Sequence, residues 1–303
     1  MPITPDRSIA KKDILKEVQG LDDHRGRRFL CRYLPTIAPW AVTLLVGFMY
    51  PSRGIFVVLA VLAGLTQNAL VILMHEGSHW FFHHTKSTND LLANILVCLP
   101  ILNTVEGYRH SHLMHHQHVG HPSDPYFRLY DQYASKRELL KYLCLDITGI
   151  TAVRLFYERY LTPTEASPKM FGVLLALFVL IQSALFVLLW RLTGTVLGYC
   201  FIWVIPLMTI PFAINRIRTI AEHCSRAGIA NRSTLVNMVE YCLIAPYGYN
   251  FHYEHHLLPT IPYYRLAWVH QRLMDSGHNF DATTLNKTGY LSAFREYLAS
   301  LPW

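Results

Sequence analysis

Charge is what this sequence has least of. Asp, Glu, Lys and Arg make up 16 % of its 303 residues, against about 25 % in an ordinary soluble domain. Hydrophobic residues reach 52 % and mean hydropathy is +0.21. A soluble surface needs more charge than this, and disordered or collagen-like chains need less hydrophobicity, so all three classes are excluded. Cysteine is also sparse: Cys31, Cys98, Cys144, Cys200, Cys224 and Cys242 contain no CxxC pair. That argues against a disulfide scaffold, a Cys-zinc module and an iron–sulfur cluster, and leaves thiols in apolar runs as small hydrophobes. No GxGxxG fingerprint, no His-Pro-Gly-Gly haem segment and no low-complexity tract occur. The first 28 residues are polar and carry no apolar core of the signal-peptide kind.

Long apolar runs account for the hydropathy. A helix needs about 20 apolar residues to cross the hydrocarbon layer, and residues 34–50, 54–74, 170–190 and 196–215 supply four such stretches. Short breaks at Pro51–Gly54 and Arg191–Thr195 pair them into two helical hairpins. Residues 91–105 are apolar but short and interrupted by Pro100, which predicts a re-entrant or interfacial helix. Of 27 Lys and Arg residues, only Arg53 and Arg191 fall in the two short turns. The other 25 lie on one side, which the positive-inside rule makes cytoplasmic, with both termini there. The net charge of +7 then reads as basic loops facing an anionic membrane surface rather than nucleic acid.

Histidine is the surplus, with 17 residues against 20 for Asp and Glu together. Three clusters stand out: His75-Glu76-Gly77-Ser78-His79, His112-Leu113-Met114-His115-His116 and His252-Tyr253-Glu254-His255-His256. The predicted topology puts all three on the cytoplasmic face. On a helix, residues four apart share a side, so His75 and His79 converge. In each HxxHH box the first histidine shares a side with both later ones. The adjacent pair diverges by roughly 100°, and its members can serve different ions. Eight imidazoles exceed one coordination sphere and suit two, and all-nitrogen ligation is compatible with iron, zinc, copper or nickel. The first box also matches the HExxH zinc-peptidase pattern, but that reading leaves both HxxHH boxes unexplained. A metal transporter or sensor needs polar groups inside the spans, and 54–74 and 170–190 hold only Thr66, Gln67, Asn68, Gln182 and Ser183.

HEGSH, HLMHHQHVGHPSDP and NFHYEHHLLPTIPYYRL resemble, in order and spacing, the three histidine boxes of the integral-membrane fatty acid desaturase superfamily. The likeness runs over about residues 40–270. It implies an all-α integral membrane protein: four transmembrane helices in two hairpins, a re-entrant or interfacial helix, and a cytoplasmic helical cap carrying the boxes. It further implies two non-haem iron ions held by His75, His79, His112, His115, His116, His252, His255 and His256. The family's isolated ninth histidine is best matched by His223, in Ala221-Glu222-His223. The chain divides accordingly into a cytoplasmic N-terminal segment (1–33), a membrane desaturase-like domain (34–270) and a cytoplasmic C-terminal tail (271–303).

The implied reaction uses O2 to introduce a C=C bond into a fatty acyl chain. An unactivated methylene has no useful acidity, so side-chain acid–base chemistry alone is insufficient and a redox metal is required. Electrons must come from an external carrier of ferredoxin, rubredoxin or cytochrome b5 type with its reductase, which a basic surface suits. Hydroxylation or ketolation of a lipid or carotenoid, and oxidative decarboxylation, use the same site and are the alternatives. Glu76, Asp124, Glu222 and Glu254 are candidates for carboxylates that hold ligand imidazoles, and His83, four residues past His79, is a candidate neighbour. Arg109, Arg218 and Arg265 are candidates for an acidic head group or carrier phosphate. Tyr247, Tyr249, Phe251 and Tyr253 crowd the third box as a candidate acyl entry. His110 and His118 are expected to point away from the site, His121 to sit in a loop, and His24, His270 and His278 to be structural.

Overall fold

The computed structural model describes residues 13–18, 25–130, 133–161, 168–225 and 228–303, and these are mostly helical. In chain order, α1 is Arg25–Met49 and α2 Arg53–Ser78; α3, Lys86–Ala93, runs on through a π-turn (Asn94–Cys98) and a 3-10 turn (Leu99–Ile101); α4 is Val105–His118. Then come α5 (Lys136–Ile147), α6 (Ile150–Leu161), α7 (Pro168–Thr193) and α8 (Leu197–His223, with a π-turn at Cys200–Val204). The shorter α9 (Met238–Leu243), α10 (His252–Leu257), α11 (Leu266–Asp275) and α12 (Tyr290–Ser300) follow. Among the described residues, sheet is confined to two ribbons of two residues per strand. Cys224–Ser225 pairs antiparallel with Gly228–Ile229, and Ser233–Thr234 pairs parallel with Leu285–Asn286.

Among the described residues, four helices are long and apolar enough to cross a membrane: α1, α2, Phe171–Thr193 of α7, and α8. Each covers one of the apolar windows to within a residue, but three run well past it. α1 starts at Arg25, α2 continues to Ser78 and α8 to His223, so box residues ride on the ends of the apolar helices. The outward faces expose Leu45, Val57, Val179 and Leu180, as lipid-facing helices do.

Residues 91–105 hold the largest departure from regular helix. Pro100 lacks an N–H, Leu102 takes a left-handed conformation at φ 59°, and Lys86–Ile101 meets Val105–His118 at 91°. In an apolar surrounding the carbonyls freed at this break need donors. Gln182 of α7 donates Nε2 to Leu99 O at 2.6 Å, and Trp203 of α8 donates Nε1 to Pro100 O at 3.0 Å. Tyr199 donates its hydroxyl to Gln182 Oε1 at 2.6 Å. On the far side of the break, Asn94 Oδ1 accepts the Val105 N–H at 2.9 Å and the Thr104 hydroxyl caps Gly107 N. The span polar residues thus serve backbone. Gln67, fully buried, likewise donates to Trp203 O at 2.9 Å, beside the α8 π-turn, and Asn68 donates to Leu243 O at 3.0 Å.

α2 packs against α1, α4 and α8. Its approach to α8 is tight at Gly64, where an added Cβ would stand 2.4 Å from Ile210 Cδ1 and 2.8 Å from Ile210 Cβ. This contact lies about three helical turns from His75 on one helix and about three and a half from His223 on the other, so it sets the crossing that brings their ends together. Gly64→Val should therefore lower the melting temperature of the detergent-purified protein, since overpacking costs about 1–3 kcal/mol. An unchanged melting curve would show that the crossing tolerates a wider separation.

Candidate metal centre

The ends of four helices meet at the site. α2 carries His75 and stops at His79, its C-cap, with Trp80 left-handed at φ 59°. Trp80 N bonds Gly77 O and Phe81 N bonds Glu76 O, both at 3.2 Å, which is the Schellman pattern with tryptophan where glycine is usual. A bulky residue in that conformation costs about 1–3 kcal/mol. The Trp80 ring is clamped by Arg109 at 4.1 Å and Lys86 at 4.4 Å. The last two turns of α4 carry His112, His115 and His116, the last residue of α8 is His223, and the short α10 carries His252, His255 and His256.

These nine imidazoles form two groups, each with its nitrogen atoms within 4.8 Å of one another: His75, His79, His112, His116 and His255 in one, and His115, His223, His252 and His256 in the other. Both adjacent pairs are split between the groups, as the 100° divergence requires. The groups abut, with the His116 and His256 rings 4.3 Å apart.

Within the groups Nε2 atoms face each other. The pairs are His79–His112 at 2.9 Å, and His112–His116, His116–His255 and His223–His252 at 3.0 Å each. Two nitrogens each about 2.1 Å from one ion and at right angles to it lie about 3.0 Å apart, so the spacing fits shared cations. His75 Nε2 and His256 Nε2 are buried without a hydrogen-bond partner, a costly state that ligation removes. The donor set is nitrogen throughout, which suits first-row transition metals. Burial lowers the basicity of the imidazoles, to about 3 for His79 and well below the ordinary range for His252, His255 and His256, with neighbouring histidines adding to the effect. These four are neutral at pH 7, the form that ligates.

The outer nitrogens are held unequally. His75 Nδ1 meets Glu76 Oε1 at 3.0 Å, and Glu76 Oε2 accepts the Tyr263 N–H at 3.2 Å. His115 Nδ1 meets Asp124 Oδ2 at 2.7 Å, and Tyr130 donates its hydroxyl to the same oxygen. His223 Nδ1 faces Ala230 O at 3.2 Å. Glu222 stands 3.8 Å from His252 Nδ1, beyond hydrogen-bond range, while its other oxygen accepts from Tyr290 at 2.9 Å. Glu254, fully buried, touches no ligand ring: it binds His270 Nδ1 at 2.5 Å and the Ser233 hydroxyl, fastening α10 to α11 and the second ribbon.

Other candidates fall elsewhere. His83 is not brought to the site, because α2 has ended at His79 and the four-residue repeat no longer applies; its Nδ1 accepts from Thr85 N at 3.0 Å. His110 and His121 are exposed, and His118 turns back onto Met114 O. His278 meets the Tyr253 hydroxyl at 3.2 Å, and His24 lies outside the described residues. Arg109 is held by Asp90, Ser78 O and Gly77 O. Arg218 is buried against Asn215, Ile244 O and the Tyr249 ring, and Arg265 donates to Val18 O. Of the aromatics, Tyr249 lies against both groups, 5.0 Å from His75 and 5.8 Å from His252. The residues the sequence did not point to are Tyr130, Tyr263, Tyr290 and Ala230. Tyr290 reaches Glu222 across 68 positions, a separation for which no local spacing gives a signal.

Apolar helices ending in a double histidine site define a membrane metalloprotein. The fatty acid desaturase family model matches residues 52–284, and the chain belongs to that family: it is an enzyme of the desaturase-like oxidoreductase type. It is also similar to the dihydrorhizobitoxine desaturase of Bradyrhizobium elkanii, at 24 % identity over 293 residues, covering 88 % of this chain and 81 % of that protein.

Asp124 orients His115, so Asp124→Asn should weaken metal binding by about tenfold or more, read by metal titration of the stripped protein. Retained affinity would assign Asp124 to packing alone. Acid acts in the same direction. Imidazoles buried neutral bind fewer protons folded than unfolded, so stability is present above about pH 6.5 and is lost as pH falls below it. The metal-free protein should melt lower at about pH 5.5 than at about pH 7.5, and a flat profile would contradict the neutral cluster.

Proposed function

We propose that this chain is an O2-dependent di-iron desaturase that introduces a C=C bond into a fatty acyl chain, with His75, His79, His112, His116 and His255 holding one iron and His115, His223, His252 and His256 the other. The observation that carries the reading is the five-plus-four grouping of closely packed, mutually facing imidazoles at the ends of apolar helices. Two bound irons would supply the O2 activation that removal of hydrogen from an unactivated methylene requires.

The protein's own groups do the rest. Glu76, Asp124 and Ala230 O orient three of the rings, and the split of each HxxHH pair keeps the two groups adjacent. Burial of the site among apolar helix ends keeps bulk water from the reacting carbon. Both termini and all boxes are assigned to the cytoplasmic face, with α1–α2 and α7–α8 as hairpins, on the sidedness of 25 basic residues. Electrons are assigned to a ferredoxin, rubredoxin or cytochrome b5 type carrier. The relative in Bradyrhizobium elkanii is named for the desaturation of dihydrorhizobitoxine, which favours desaturation over hydroxylation, ketolation or decarboxylation and leaves the fatty acyl substrate resting on the family.

Expression with a reductase system and mass spectrometry of the lipids tests the reaction. Loss of two hydrogens supports it, whereas gain of one oxygen would make the enzyme a hydroxylase. His115→Ala and His255→Ala, one from each group, should each abolish turnover and lower iron content. Full activity with intact iron in both would overturn the assignment.

A further inference from the structure

Among the described residues, several arginines packed into the fold have visible polar partners. Arg109, Arg216 and Arg272 each bind a carboxylate, while Arg218 and Arg232 bind carbonyls. Arg28 and Arg32, one turn apart on α1, have no carboxylate within ion-pair distance among the described residues. Arg32 Nη1 donates to Arg28 O at 3.2 Å, and Arg28 Nε is buried with no hydrogen-bond partner. Both guanidinium groups lie over one tyrosine, at 4.5 and 5.4 Å from the Tyr264 ring centre, with Arg265 at 5.8 Å from it and Arg32 also 5.0 Å from Tyr263. The first turn of α1 contains no acidic residue. Half-buried like charges gathered on one ring repel, and their planar donor forks match the two oxygens of a carboxylate or phosphate.

The position ties this cluster to the metal centre. Tyr263, under Arg32, donates its N–H to Glu76, which holds His75. One turn further along α1, Thr36 meets the Tyr247 hydroxyl, and the Tyr247 and Tyr263 rings are 5.8 Å apart. Arg28, Arg32 and Thr36, spaced four apart, therefore share one face of α1 turned toward residues 247–264. That face runs from the charged start of an apolar helix into the membrane-spanning part, beside the first histidine group.

We propose that Arg28 and Arg32 seat the acidic head group, carboxylate or phosphate, of this enzyme's acyl substrate at the seam between α1 and residues 247–264. The inference rests on the desaturase reading and adds the substrate class: an acyl compound with an anionic head rather than a neutral ester or a hydrocarbon.

Binding to the detergent-purified protein, followed by tryptophan fluorescence, tests it with palmitate, palmitoyl-CoA and methyl palmitate as probes. At least one anionic probe should bind about tenfold or more tightly than the methyl ester, as loss of a charge-assisted contact implies. Arg28→Gln/Arg32→Gln should bring the probes to parity, and Arg28→Lys/Arg32→Lys should restore part of the preference. Equal affinities in the unaltered protein, or a preference kept by the glutamine variant, would overturn the proposal. Displacement of the anionic probe by phosphatidylglycerol in nanodiscs, and not by phosphatidylcholine, would overturn it too, making the cluster a bilayer-lipid seat. Should the glutamine variant not fold, the lysine variant carries the comparison: an undiminished preference there with Tyr264→Ala would place the anion elsewhere. The readout needs no turnover, so failure to detect a desaturated product bears on the reaction and not on the seat.

Discussion

Nine imidazoles lie in two groups of nitrogens less than 5 Å across, a crowding that disfavours charge on the rings and gives lone pairs that shared cations would suit. Protonating them would gather like charges in a buried space, and leaving them unligated strands buried nitrogens such as His75 Nε2 and His256 Nε2. Much of the fold serves this requirement. No single helix presents more than three of the nine, so four helix ends must be brought together and stopped there. α2 is stopped by a left-handed tryptophan at position 80, α8 by the turn into extended backbone at Cys224, and α10 is only six residues long.

Bringing α4 to the same point requires the chain to turn through 91° at Ile101–Val105, next to apolar helices where loose carbonyls are expensive. This explains polar residues in otherwise apolar spans. Gln182 and Trp203 donate to the broken segment, and Gln67 donates beside the α8 π-turn. They are weak evidence for a translocation path and good evidence for a backbone that departs from helix in a low-dielectric surrounding. The arginine candidates behave similarly. Arg109 locks the Trp80 turn and Arg218 the Ile244 loop, so charge near a site is not by itself charge available to a ligand.

What was legible in the sequence was local. The apolar windows mark the four long helices, and the i, i+3 and i+4 spacing sorts the box histidines, because both depend on helix geometry alone. His223 was legible only through the resemblance. The extrapolation from His79 to His83 failed since it assumed a helix that a left-handed residue ends. The supports were illegible because they cross the chain: Tyr263 meets Glu76 across 187 positions and Tyr290 meets Glu222 across 68. The same applies to residues 271–303, which read as a tail. Leu285–Asn286 pairs with Ser233–Thr234, Tyr290 bonds Glu222, and Pro302 O accepts from Lys136, so this segment braces α8 and α10 from outside.

The bracing is lopsided. The five-histidine group receives one carboxylate, Glu76, whose other oxygen is committed to a backbone N–H. The four-histidine group is served by Asp124 and by Ala230 O, and Glu222 stands nearby, anchored through Tyr290 to α12. Carboxylate partners raise the basicity of a ligand imidazole and fix its ring, so the group with fewer nitrogens has the firmer frame. Fewer imidazoles also leave more of a coordination sphere open to other ligands. Two ions held here would therefore sit in unequal fields even though every protein donor is a histidine nitrogen. On the four-histidine side the support comes from residues outside the boxes, Asp124 and Ala230, whereas Glu76 lies within the first box.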